Sequence, residues 1–297
     1  MQSKIFVVVV LISASTYTTG IQAQLRSLEQ GSILSRPFLM QGIVPESPQV
    51  QFKLIHPKYE ESDGEFFSSD ISMSSGSYLI SGSFPIGERG AVEVSLPYHI
   101  FKVTTTFEFF GETESDEMSL KDLGNIRVNY IQRLGQENSE FQHYAVVGAY
   151  LPTAGDETVF GGFDNYYDIF SFIDESFTLR GTYVNIKRLS TVTISLEVGS
   201  DFFFPTEDNG DTEIFAHYGI GLSSSPIENL AVRAELVGLG IITEDDIGSG
   251  SRFQHQAALG GRYQFGRFVP GLFYTLNMND LKDIYDSSIG VEVGIEL

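Results

Sequence analysis

The stretch EDNGDTE sets Asp208, Asn209, Asp211 and Glu213 around Gly210. These are hard oxygen donors of the kind Ca²⁺ prefers. The spacing departs from the length and register of an EF-hand loop, so the same residues also read as an ordinary acidic turn. A catalytic set is harder to find. With no Cys there is neither a thiol nucleophile nor a cysteine metal site. None of His56, His99, His143, His217 or His255 is closely followed by a Ser in a hydrolase-like pair, and a nucleophile needs its base within hydrogen-bond reach. Gly238-Leu239-Gly240 lacks the third glycine and the helix of a nucleotide fingerprint. The sequence therefore predicts neither an enzyme nor a bound cofactor.

The remaining chemistry-bearing residues fall at alternate positions of apolar runs: Lys53, Glu93, His99, Arg127, Glu197, Asp201, Arg233, Glu235, Arg262, Glu292 and Glu296. Successive side chains of a strand point to opposite faces, so in SSIGVEVGIEL the residues Ile289, Val291, Val293, Ile295 and Leu297 share one face and Glu292 and Glu296 the other. AVEVSLPYHI, TVTISLEVGSDFFF and EIFAHYGIGL repeat the pattern.

The alternation predicts about twelve strands, at 48–56, 69–86, 91–103, 125–134, 141–151, 178–187, 191–204, 213–222, 230–241, 253–265, 268–277 and 288–297. The phase is ambiguous in 141–151 and 178–187 and slips near Gly238, so bulges or misread strands are expected there. Short connections (87–90, 135–140, 188–190, 223–229, 266–267) alternate with mostly longer ones (58–68, 104–124, 152–177, 205–212, 242–252, 278–287). This predicts an all-β fold: a transmembrane antiparallel up-and-down β-barrel with short periplasmic turns and long extracellular loops. A soluble sandwich or lipocalin-like barrel would also alternate, but has no reason to segregate its loops so regularly. Tyr98, Tyr130, Phe202, Phe204, Tyr263 and Tyr274 fit interfacial aromatic girdles.

At the N-terminus, Lys4 precedes the apolar run 5–14, and Ile21-Gln22-Ala23 reads as a cleavage site. Residues 1–23 are expected to be a signal peptide, 24–46 a periplasmic tail or a plug, and 47–297 the barrel. The formal charge of −21 excludes a nucleic-acid groove, which needs clustered Lys and Arg. Acidic residues crowd the long loops, among them Glu114, Asp116, Glu117, Asp156, Asp164, Asp168 and Glu175, and predict a negative rim at one end. The last strand also carries the alternate apolar residues that outer-membrane barrels present to the barrel assembly machinery, with Leu297 where a terminal Phe is usual.

Three stretches, EVSLPYHIF, SLKDLGNIRVNYIQRL and AVVGAYLPTAGDE, resemble the transporter family named for the meta-pathway of phenol degradation. Leu96-Pro97-Tyr98 and Leu151-Pro152-Thr153 match its pattern, Ala154 stands where that family has Gly, and Asp122-Leu123-Gly124-Asn125 approximates its glycine-aspartate pair. The resemblance implies an outer-membrane barrel that passes small, often aromatic, hydrophobic compounds. The expected role is therefore a channel or transporter for small solutes in the bacterial outer membrane, in contact with lipid and lipopolysaccharide. The alternative is a closed structural or adhesive barrel whose acidic loops bind divalent cations or a surface partner.

Overall fold

A computed structural model of the chain describes residues 31–58, 62–63, 69–109, 112–135, 140–156, 158, 161–206, 211–243, 252–279 and 285–297. The expected signal peptide lies outside these residues. The strands, in chain order, are β1 (Gln49–Lys58), β2 (Ser62–Asp63), β3 (Ser69–Ile86), β4 (Gly90–Phe109), β5 (Glu112–Leu123), β6 (Arg127–Arg133), β7 (Phe141–Tyr150), β8 (Ser176–Arg188), β9 (Thr193–Pro205), β10 (Glu213–Ile227), β11 (Leu230–Ile241), β12 (Phe253–Tyr263), β13 (Phe268–Met278) and β14 (Ser287–Glu296).

Every pairing is antiparallel, and β1 pairs with both β14 and β3, so the sheet closes on itself. β4 pairs with β6 over Gly90–Ser95 and with β5 over Tyr98–Phe109. Together β5 and β6 make one barrel strand interrupted at Gly124–Ile126, while β2 is a short extension beside β3. The result is a twelve-stranded closed barrel. Around the closed ring each strand is paired on both sides, which is the condition for spanning a bilayer with strands, while the extensions β2 and β5 each pair on one side only, with β3 and β4.

The apolar set faces out. Val147 is 62% exposed, Leu272 59% and Ile289 54%, and Tyr130, Phe202 and Tyr274 also project outward. The inner face of the same strands buries Ser95, Glu93, Arg180, Glu197, Asp201, Glu235 and Glu292. Oily outside and charged inside inverts a soluble barrel and matches a transmembrane one, in which lipid solvates the outer band.

Three expectations need correction. Residues 104–124, read as a loop, are the upper part of β4 and all of β5, paired from Tyr98↔Leu123 to Phe109↔Glu112. Their alternation is hidden because Glu114, Asp116 and Glu117 are all exposed, which puts acidic residues on both faces of β5. Near Gly238 there is no bulge: β10 and β11 stay in register from Phe215↔Ile241 to Ser224↔Val232, and the shift comes between Ser224 and Ile227. The apparent slip arises because Val237 and Leu239 face inward and are buried. Finally, Asp164 and Asp168 are not on a solvated rim: they are 1% and 5% exposed inside the barrel. Glu114, Asp116, Glu117, Asp156 and Glu175 are exposed.

Two segments occupy the interior. Residues 31–46 enter from the short-turn end, where Ile33 N–H donates to Glu296 (3.3 Å), and return so that Glu46 N–H donates to the Gly31 carbonyl (3.2 Å). From the opposite end, the β7–β8 connection folds inward through a short helix, α1 (Gly161–Asp164), and a 3-10 turn at Tyr166–Ser171. Phe38, Leu39 and Met40 of the first segment join Tyr167 and Phe170 of the second in one buried apolar cluster with Val237, Leu239 and Phe273.

Candidate functional site: the occupied lumen

The N-terminal segment is irregular backbone at membrane depth, so its amides and carbonyls must find partners within the protein. The wall supplies them by charge sign. Glu235 accepts the N–H groups of Phe38 (2.8 Å), Leu39 (2.8 Å) and Met40 (3.2 Å). Glu197 accepts Gln41 N–H (2.7 Å). The carbonyls meet cations: Lys53 Nζ donates to Phe38 O (2.6 Å), and Arg262 donates to Arg36 O and, at 3.3 Å, to Pro37 O. Arg262 also lies 4.3 Å above the Phe38 ring, and Phe38 stacks on Phe273 at 4.9 Å. Charge-assisted bonds of this kind are about twice as strong as neutral ones, and the sequence obtains them by placing Glu197, Glu235, Lys53 and Arg262 on inward strand positions. Lower down, Ile43 packs on Tyr144, Val146, Val184 and Ile186.

The inward loop is held equally tightly. Asp168 accepts Arg127 Nη1 (2.9 Å), the Tyr150 hydroxyl (2.5 Å) and Ser171 Oγ (3.0 Å). The Tyr167 hydroxyl donates to Glu197. Burial, reinforced by Glu197, pushes the Tyr167 phenol well above its usual range, so it remains a donor. Arg180 pairs with Asp201, which also accepts His217 Nδ1 at 2.7 Å.

At the loop's root, Asn125 donates to Phe170 O (2.9 Å) and Ile173 O (2.5 Å) and accepts Thr153 N–H and Ala154 N–H, both at 2.9 Å. A Cβ on Gly124 would lie 2.1 Å from Ser171 O, so this close approach requires glycine. The Gly124-Asn125 and Leu151-Pro152-Thr153 stretches, distant in sequence, therefore meet in one knot that anchors the loop.

Each sequence-derived lumen residue has a definite place. Glu93, His99, Glu197, Asp201, Arg233, Glu235, Arg262 and Glu292 are buried on the inner wall; Lys53, Arg127 and Glu296 are half-buried there. Glu93 pairs with Arg36 and Arg127, Arg233 with Glu235, and Arg262 with Glu292. Of the acidic turn, Asp208 and Asn209 lie outside the described residues; Asp211 is exposed and Glu213 accepts from Thr243. Among the described residues no group of three or more His, Cys, Asp or Glu is arranged to hold a metal ion.

Arg180, Tyr150, Tyr167, Asp168, His217 and Gln41 went unrecognised as lumen residues. Arg180 sits in a strand of ambiguous phase, His217 bonds to Asp201 and Thr182 across strands, and the others gain meaning from the two inserts. A His–Ser contact also exists where no local motif signals it: Ser77 and His99 are cross-strand partners, with Ser77 Oγ 3.1 Å from His99 Nδ1. Ser77 Oγ donates to Asp164 Oδ2 (2.8 Å), and the same His99 nitrogen faces that carboxylate at 3.5 Å. Ser77 Oγ thus lies within hydrogen-bond reach of both the carboxylate and the imidazole, and the His99 tautomer sets which way the Ser77–His99 bond runs.

Between these inserts, one interior cavity among the described residues, bounded by Arg36, Lys53, Glu93, Arg127, Asn165 and Asp168, measures about 40 Å³. A cavity of this size admits a few water-sized groups.

No protein-family model and no curated protein sequence matches the chain. Solved structures do. The NanC porin aligns over 84% of this chain and 99% of its own, at 6% identity and a TM-score of 0.49. The transport unit of the autotransporter AIDA-I from Escherichia coli covers 87% and 93%, at 14% identity and 0.44. A FadL homologue from Pseudomonas aeruginosa covers 85% and 91%, at 6% identity and 0.41. Likenesses at this level carry no argument about substrate. The resemblance to the phenol-pathway family rests on its three stretches alone, whereas the transmembrane barrel rests on the closed sheet and its outward apolar band.

Proposed function

We propose that the chain is an outer-membrane channel or transporter for small solutes, that residues 31–46 act as its plug, and that the closed lumen described above is its resting state. One observation carries this reading. Four ion pairs of the wall form independently of the plug: Arg180 with Asp201, Arg233 with Glu235, Arg262 with Glu292 and Arg127 with Glu93, leaving Lys53 and Glu197 as wall charges whose partners lie on the inserts. Withdrawal of the segment would therefore leave a charged, wettable passage with few unpaired ions. A barrel closed for strength alone could fill its interior with apolar side chains at lower desolvation cost.

The resemblance to the phenol-pathway transporters points to small aromatic or hydrophobic compounds. The cluster of Phe38, Tyr167, Phe170 and Phe273 offers faces on which a flat ring could stack. The small cavity favours a second reading, a permanently closed structural or adhesive barrel. Proteoliposome swelling separates the two. With sugars, amino acids and phenols as osmolytes, the chain lacking residues 31–46 should swell and the full chain should not; equal silence from both would leave the closed barrel.

A further inference from the structure

The cavity between the two inserts has a surplus of hydrogen-bond donors. Its carboxylates are committed: Glu93 to Arg36, Arg127 and Ser83, and Asp168 to Arg127, Tyr150 and Ser171. Its cations keep donors beyond these pairs, against one unpartnered acceptor in the lining, Asn165 Oδ1. Arg36, only 7% exposed, keeps Nη1 without a hydrogen-bond partner, and Nε of Arg127 is likewise unpartnered. Lys53 carries three N–H donors and uses one on Phe38 O. Among the described residues no carboxylate lies within 4 Å of its ammonium. The Phe273 ring, 5.7 Å away, compensates only part of such a charge. Three cations from β1, β6 and the N-terminal segment thus converge on about 40 Å³ of polar space beside two carboxylates, and the half-buried Lys53 is the one of the three without an ion pair.

We propose that this cavity is a binding site for one compact anion, either a halide or the carboxylate of a very small organic acid, held by Lys53 with Arg36 and Arg127. The site stands whether or not the lumen ever opens, because it exists in the closed barrel. The volume limits the closed form to ions the size of chloride, bromide or formate; a larger acid would enter only as the plug moves.

Calorimetric titration of sodium bromide and of sodium formate into the refolded full chain, in halide-free detergent buffer, tests it. Saturable one-site binding is expected, weakened at least tenfold by Lys53→Met and kept within a few-fold by Lys53→Arg. Formate that competes with bromide identifies a carboxylate site; bromide binding without competition identifies a halide site. Anomalous diffraction from bromide-soaked crystals of the unsubstituted chain should show a peak beside Lys53 Nζ, which decides the matter if Lys53→Met fails to fold. No saturable binding, binding unchanged in folded Lys53→Met, or no peak in the cavity would overturn the proposal.

Discussion

Gln41 of the N-terminal segment and Tyr167 of the inward loop share one carboxylate: Glu197 accepts the Gln41 N–H at 2.7 Å and the Tyr167 hydroxyl on its other oxygen. Segments that enter from opposite ends of the barrel are thereby tied to the same wall residue. Removing one donor leaves Glu197 less satisfied, so each insert steadies the other.

Tyr167→Phe isolates that tie. It deletes one hydrogen bond to a buried carboxylate, a loss of about 1–3 kcal/mol, while the Gln41 contact remains. Hydrogen exchange in 165–171 should quicken roughly tenfold or more, with the amides of β9 unchanged. Equal protection in both proteins would show that the hydroxyl holds nothing.

Glu235→Gln addresses the plug itself. The carboxylate receives three consecutive backbone amides, Phe38 to Met40, and a neutral amide forfeits the charge assistance while remaining able to accept. A weakening of about 1–3 kcal/mol is expected, read as roughly tenfold to hundredfold faster exchange of those three amides. If exchange is unaltered, the apolar contacts of Phe38 carry the segment unaided.

Asn125→Ala should free the loop. Four hydrogen bonds converge on that side chain, and losing them costs about 2–4 kcal/mol. Limited proteolysis on intact cells or vesicles should then nick the 161–173 stretch, whose described residues are mostly buried in the unsubstituted chain. Gly124→Ala should do the same, because the added Cβ would fall 2.1 Å from Ser171 O.

Substitution on the outer face tests which side meets lipid. Val291 is 47% exposed beside Leu272, so Val291→Arg should destabilise the barrel by about 2–4 kcal/mol in bilayers if it lies near the midplane. Urea titration of vesicle-inserted protein measures it. A neutral result would mean that the outward residues do not face hydrocarbon.

Where only one face of a strand is apolar, the sequence was easy to read. Ser69–Ile86 appears as β3 with the expected bounds, and the expected 288–297 strand as β14 shifted by one residue. Ambiguity concentrated where the lumen is filled. Tyr144, Val146, Tyr150, Val184 and Ile186 point inward yet are apolar, because they pack on the N-terminal segment or the inward loop. With oil on both faces, β7 and β8 lose their period, and Val237 and Leu239 of β11 mimic a slip for the same reason. Those irregularities therefore mark the contact surface of the inserts. Cross-strand sets such as Ser77, His99 and Asp164 remained hidden because register and loop folding, and not sequence spacing, bring them together.

The most direct measurement is planar-bilayer conductance of the purified, refolded barrel, recorded for the full chain, the chain lacking 31–46, and a Met40→Cys/Gly219→Cys variant in the Glu235→Gln background. A Cβ on Gly219 would lie 3.0 Å from Met40 Cγ, a separation suited to a disulfide, and the chain has no other Cys. The plug account predicts a silent full chain, discrete steps after deletion, and steps in the paired-cysteine variant only under reducing conditions. Silence of the folded deletion protein, or equal conductance of the oxidised and reduced pair, would contradict it.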